Sequence, residues 1–109
     1  MIQVTMLTNQ NGKYIGFECI GHAGYADAGK DIVCAGVSAL VINAVNSIDR
    51  YTSETFTLDT EEETGKLAVY FDRPAGHDAE LLLNSLVLGI KGIQKQYEDK
   101  YITFHIKEV

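Results

Sequence analysis

Two side chains in the stretch "GHAGYADAGKDIVCAGVSAL", residues 21–40, combine reactivity with placement: His22 and Cys34. A thiol is a strong nucleophile only as its thiolate, and an unperturbed thiol of pKa about 8.5 is mostly protonated at neutral pH. The apolar spacing predicts a helix from about residue 32, which puts Cys34 in its first turn. Unsatisfied N–H groups and the positive end of the macrodipole point there, and both favour a thiolate. An imidazole alongside would favour it further as an ion pair, and would carry protons to and from a reacting group. His22 lies just past the end of a strand, in a link that contains Gly21, Gly24 and Gly29. Those glycines let the chain fold back to the helix start. They predict a flap, residues 21–31, that closes over something bound near Cys34.

Spacing alone leaves a second reading open. Cys34 also shares the stripe of Val37 and Val41, and free cysteines are among the most buried residues. Asp31 has two candidate jobs. As N-cap it accepts from the N–H of Val33 or Cys34; as the third member of a triad it orients His22. The jobs conflict in part, because a Cys34 N–H bonded to Asp31 is less free to serve an oxyanion. Ser38, one turn behind Cys34, either bonds back to the sulfur or bonds its own helix carbonyl. Cys19 sits mid-strand on the face of Ile15 and Phe17 and reads as core. His77 and His105 read as surface residues. With no CxxC or HxxxH pairing, no metal site is expected, and no cofactor either: "GYADAGKD" lacks the spacing of a phosphate-cradling loop.

The elements that must position these groups follow from periodicity. Residues 2–8 set Ile2, Val4 and Met6 against Gln3, Thr5 and Leu7, a strand. "NQNG" at 9–12 is turn chemistry, and 13–20 alternates again, with Ile15, Phe17 and Cys19 on one side and Tyr14, Gly16 and Glu18 on the other. From 32 to 51 the step changes to three and four, through Cys34, Val37, Val41, Ala44, Val45 and Ile48, a helix with one buried face. Strands containing Phe56 and Leu58, then Leu67, Val69 and Phe71, flank the polar turn "EEETG". A second helix over 77–98 carries Ala79, Leu82, Leu83, Leu86, Ile90, Ile93 and Tyr97, and a last strand covers 101–107. The order ββαββαβ predicts an α+β fold, with a mostly antiparallel or mixed sheet packed against two helices.

A chain of 109 residues supports one domain, 1–109, with a single core. Fifteen acidic against nine basic residues give a net charge of −6, and no Lys/Arg cluster offsets it. Nucleic acid is therefore not an expected partner, whereas a basic protein is electrostatically easier. The longest apolar stretches, around 32–45 and 81–93, are interrupted by polar residues, so no membrane span is expected. The N-terminal "MIQVTML" reads as a strand rather than a signal peptide, which makes the cytoplasm the expected compartment and free thiols the expected cysteine state.

The stretch 21–40 also resembles the signature of the bacterial ribosomal-processing cysteine protease (Prp) family. The shared pattern is Gly-His-Ala, a variable glycine-containing segment, then Asp-Ile-Val-Cys-Ala followed by a serine. The resemblance implies an α+β homodimer and a cysteine endopeptidase with His22 and Cys34 as its catalytic pair; beside them, the residues themselves make Asp31 the expected support for the imidazole or the helix start, and Ser38 a lesser one. It implies as substrate the N-terminal extension of ribosomal protein L twenty-seven, whose N-terminus reaches toward the peptidyl-transferase centre. An acidic enzyme acting on a basic ribosomal protein is electrostatically consistent. Two other functions compete on the residues alone. One is a non-catalytic ribosome-assembly module holding a basic ribosomal protein, which would tolerate Cys34→Ser. The other is a thiol redox sensor using Cys34, poorly served by a Cys19 that points into the core.

Overall fold

A computed structural model describes residues 1–27 and 30–109 of the chain. Its elements run β1 (Ile2–Thr8), β2 (Tyr14–Ile20), α1 (Ile32–Tyr51), β3 (Phe56–Glu61), β4 (Lys66–Phe71), α2 (His77–Gln96) and β5 (Ile102–Glu108). The alternation predicted for β1 is realised. Ile2, Val4 and Met6 are almost fully buried, and they face Cys19 and Phe17 of β2 in an antiparallel register of Val4 with Cys19 and Met6 with Phe17. The five strands form one sheet in the order β3-β4-β2-β1-β5. Every pairing is antiparallel except β1 with β5, which run parallel. The fold is α+β with a mixed sheet, as expected.

A single apolar cluster joins the strand residues Ile2, Val4, Met6, Phe17, Val69 and Ile102 to the buried stripes of both helices. The stripe of α1 is Val33, Val37, Val41, Ala44, Val45 and Ile48, and that of α2 is Ala79, Leu83, Leu86 and Ile90. Each stripe follows the helical period, and outside the stripes Gly36 of α1 lies close to Ile93 and Gly89 of α2 close to Leu40. By length and composition alone α1 is apolar enough to cross a membrane, which the interrupted sequence did not suggest. Its buried stripe belongs to the core.

Three details depart from the sequence reading. A bulge between Leu7 and Thr8 pairs Thr8 with Tyr14 and leaves Ile15 unpaired, so Tyr14, not Ile15, packs against the core. The second helix stops at Gln96 because Glu98 and Asp99 take left-handed backbone (φ 57° and 62°), which no helix can continue. The last strand consequently starts one residue later and reaches Glu108.

The architecture converges on one corner. There β2 ends, α1 begins, and the β3–β4 turn folds back: the Gly21 N–H donates to the Thr64 carbonyl at 2.9 Å.

Candidate active site

Cys34 lies at the edge of the α1 stripe, not within it. Val33, only 1% exposed, occupies the first core position, and Cys34 is half-buried beside it. That one-residue offset turns the sulfur toward a cavity of about 510 Å³ at the start of the helix. Its wall is formed by His22, Gly24, Ala26, Asp31, Cys34, Ala35 and Ser38. A space of this size lies within the range of ligand-binding clefts.

Asp31 builds the entrance. Its Oδ1 accepts from the N–H groups of Val33 and Cys34, each at 3.0 Å, which is the geometry of a helix N-cap. Its Oδ2 accepts from the Tyr25 N–H at 3.0 Å, so one carboxylate ties the flap to the helix. Within the flap, the Ala23 N–H donates to the Cys34 sulfur at 3.1 Å. The Tyr25 ring then packs edge-on against Tyr97 and Tyr101, with centroids 5.6 and 5.3 Å away. On the opposite side, His22 Nε2 lies 3.4 Å from the Glu63 carbonyl of the β3–β4 turn.

These contacts set the electrostatics. Burial pushes the Cys34 thiol above its ordinary value; the Ala23 N–H pulls the other way, and the Asp31 charge adds to the rise. Burial thus opposes the thiolate that the helix position alone favours. The cap adds to the effect of burial: its carboxylate engages the Val33 and Cys34 N–H groups at the helix start and sets a negative charge beside the sulfur. Burial also opposes ionisation of Asp31, but the N–H groups of Cys34 and Tyr25 outweigh it and hold that carboxyl below the usual range. Cys19 is different in kind. Only 8% exposed, its thiol is pushed up to about 11, by burial first and by Cys34 second.

Of the residues singled out from sequence, His22, Gly24, Asp31, Cys34 and Ser38 meet at this cavity. Gly21 and Gly24 both have positive φ (103° and 73°), while Gly29 lies outside the described residues. Gly21 is held more tightly than a hinge: a Cβ there would run into the Met1 carbonyl. Asp31 takes the capping role, and no hydrogen bond joins it to His22. Among the described residues neither His22 nor Ser38 is hydrogen-bonded to the sulfur, which accepts from the Ala23 N–H. The sequence reading passed over Ala23, Tyr25 and the turn residues Glu63 and Gly65. Only the left-handed glycine ending "EEETG" hinted at a close approach there.

Comparison with known proteins places this geometry in context. The family described as cysteine protease Prp matches residues 1–103. The ribosomal processing cysteine protease Prp of Bacillus subtilis (strain 168) is 34% identical over 105 residues, which cover 91% of this chain and 92% of that protein. Its namesake in Staphylococcus aureus (strain NCTC 8325 / PS 47) is 30% identical over 99 residues, 91% of this chain and 93% of that protein. Among solved structures, the S. aureus protease with a covalently linked product peptide superposes with a TM-score of 0.91 at 30% identity, covering 98% of this chain and all of that one. The same protease with a substrate peptide gives 0.86 at 29% identity, with equal coverage.

Proposed function

Because the chain belongs to the cysteine protease Prp family and is a cysteine peptidase, we propose that it removes the N-terminal extension of ribosomal protein L twenty-seven, with Cys34 as nucleophile and His22 as its proton carrier. The observation that carries this reading is the shared cavity: a half-buried thiol and an imidazole line one cleft roomy enough for several peptide atoms. Relatives bearing the name ribosomal processing protease, one of them solved with a substrate peptide, support the substrate class.

In this reading Cys34 starts as the thiol, the form that burial favours. As the scissile carbonyl approaches, the thiol proton passes to His22 and the sulfur attacks, giving a tetrahedral oxyanion. The Val33 and Cys34 N–H groups at the helix start are engaged by Asp31. The Ala23 N–H, already directed at the sulfur, is the better-placed donor, a role typically worth about 2.7–4 kcal/mol. His22 then gives its proton to the departing amine, leaving a thioester on Cys34. Water, deprotonated by the same imidazole, releases the acid and restores the thiol. Asp31 serves by fixing the helix start and the flap together, and Ser38 lines the cleft behind the sulfur.

The enzyme acts as a homodimer in the cytoplasm in this reading. Apolar side chains left exposed on both helices, Ile32 and Ile42 on α1 and Leu81 and Leu88 on α2, suit contact with a second copy. The test is a purified protein mixed with a peptide spanning the extension and its junction, followed by mass. A single cut by the native protein and none by Cys34→Ala supports the reading. Cleavage by Cys34→Ala, or binding without any cut by the native protein, overturns it.

A further inference from the structure

The imidazole of His22 needs something to fix which nitrogen carries its proton, and among the described residues no carboxylate is hydrogen-bonded to it: Asp31 is taken up by three backbone N–H groups. The β3–β4 turn stands there instead. It is closed by the Gly65 N–H on the Glu62 carbonyl at 3.1 Å, and it is docked on the flap through the Gly21 N–H on Thr64. We infer that the Glu63 main-chain carbonyl, held against the ring by the close approach of Gly65, orients His22 and fixes its proton on Nε2, leaving Nδ1 to exchange protons with Cys34. This rests on the proposed role of His22.

The chemistry is one-directional. A carbonyl oxygen can only accept, so a hydrogen bond between it and Nε2 requires the proton on that nitrogen. The lone pair then belongs to Nδ1, which takes the thiol proton and later hands it to the leaving amine, while the Nε2–H stays on Glu63 throughout. An aspartate does this work in many such sites. A carbonyl does it without adding charge to a sulfur that Asp31 already disfavours as an anion.

Gly65 makes the approach possible. Its φ is +66°, and a Cβ built there would lie 2.6 Å from the Gly21 carbonyl oxygen and 3.0 Å from His22 Cε1. The first neighbour is backbone, so the collision is relieved only by moving the turn, the flap or the ring. The molecule supplies its own control in Gly12. That glycine ends the β1–β2 turn at φ +76°, and a Cβ there meets nothing within 4 Å. Alanine at either position strains a left-handed backbone equally, but only at Gly65 does it disturb the imidazole.

The experiment combines nitrogen NMR of ¹⁵N-histidine-labelled protein with peptide kinetics. His22→Gln assigns the resonances against His77 and His105. In the native protein the neutral His22 ring is expected as the Nε2–H form. Gly65→Ala is expected to lower kcat on the order of 10²-fold, the cost of a misplaced group, with KM nearly unchanged and mixed tautomers at His22. Gly12→Ala should melt lower by a similar margin yet keep the native kcat and tautomer. An Nδ1–H ring in the native protein overturns the inference, and needs no variant to fold. Equal kinetics for Gly65→Ala and Gly12→Ala also overturn it. If those results come with a dead His22→Gln, the inference alone fails; a His22→Gln enzyme that still cleaves removes the proposed role of His22 itself.

Discussion

The two cysteines stand on neighbouring elements of one corner and have opposite fates. Cys19 alternates into the sheet face between Phe17 and the helices, and burial drives its thiol to about 11. Cys34 is displaced from the same core by a single helical position, the one taken by Val33, and opens on the cleft. Both are free thiols, and both are discouraged from ionising by burial first. What separates them is the company at the sulfur. Cys34 has an N–H donor from a flap, an acid at its helix cap and an imidazole on the same wall. Access and neighbours, not an acidified thiol, are what set the Cys34 sulfur apart.

The comparison breaks most visibly by exchanging the losses. Cys34→Ala should cut peptidase activity at least about 10⁴-fold, as removal of a nucleophile does, while thermal unfolding barely changes. Cys19→Ala should do the reverse: kcat is kept, and stability falls by roughly 1–2 kcal/mol, which lowers the melting temperature by about 4–8 °C per kcal/mol. Parallel assays and melts on the two variants check the pair.

A second, smaller effect sharpens the role of the cap. Asp31 raises the Cys34 thiol through its charge, so Asp31→Asn should move the pH midpoint of Cys34 alkylation downward, measured in a Cys19→Ala background. The fold holds the Asp31 carboxyl below its unfolded value of about 3.9, so its contribution to stability is present above that pH and is lost as pH falls through the folded value. Asp31→Asn should therefore flatten the acid side of the stability curve as well. An unmoved alkylation midpoint would show that the carboxylate does not act on the sulfur.

The smallest effect concerns the flap. Tyr25→Ala removes two edge-on aromatic contacts of about 0.5–1.5 kcal/mol each. The amides of Ala23 and Tyr25 should then exchange hydrogen faster while those of β1 and β2 do not, a local opening rather than a global one. Uniform acceleration would mean that the ring supports the whole fold.

Most of the fold was legible in the sequence, because strand and helix periods are local signals. The alternation of Ile2, Val4 and Met6 and the three-four steps of Val37, Val41 and Ile48 each named a buried face. The bulge at Ile15 escaped because an extra residue leaves the pattern readable in either phase. The meeting of His22, Asp31 and Cys34 at one cleft was foreseen from glycine content and helix position. The Glu63 carbonyl was not, since any residue supplies one and only the docking of the β3–β4 turn aims it. Nor was the upward push on the Cys34 thiol, because the helix dipole is read from position, whereas burial and the cap's charge act only through the contacts the fold makes.

The most direct measurement traps the intermediate. Native protein is mixed in excess with a peptide spanning the extension, quenched in acid within a turnover, and its adduct located by fragment mass. A thioester of the N-terminal product on Cys34, absent when His22 is replaced by Gln, is the predicted result. Cleaved peptide with no adduct on Cys34 at any quench time, or an adduct on Cys19, would contradict the account.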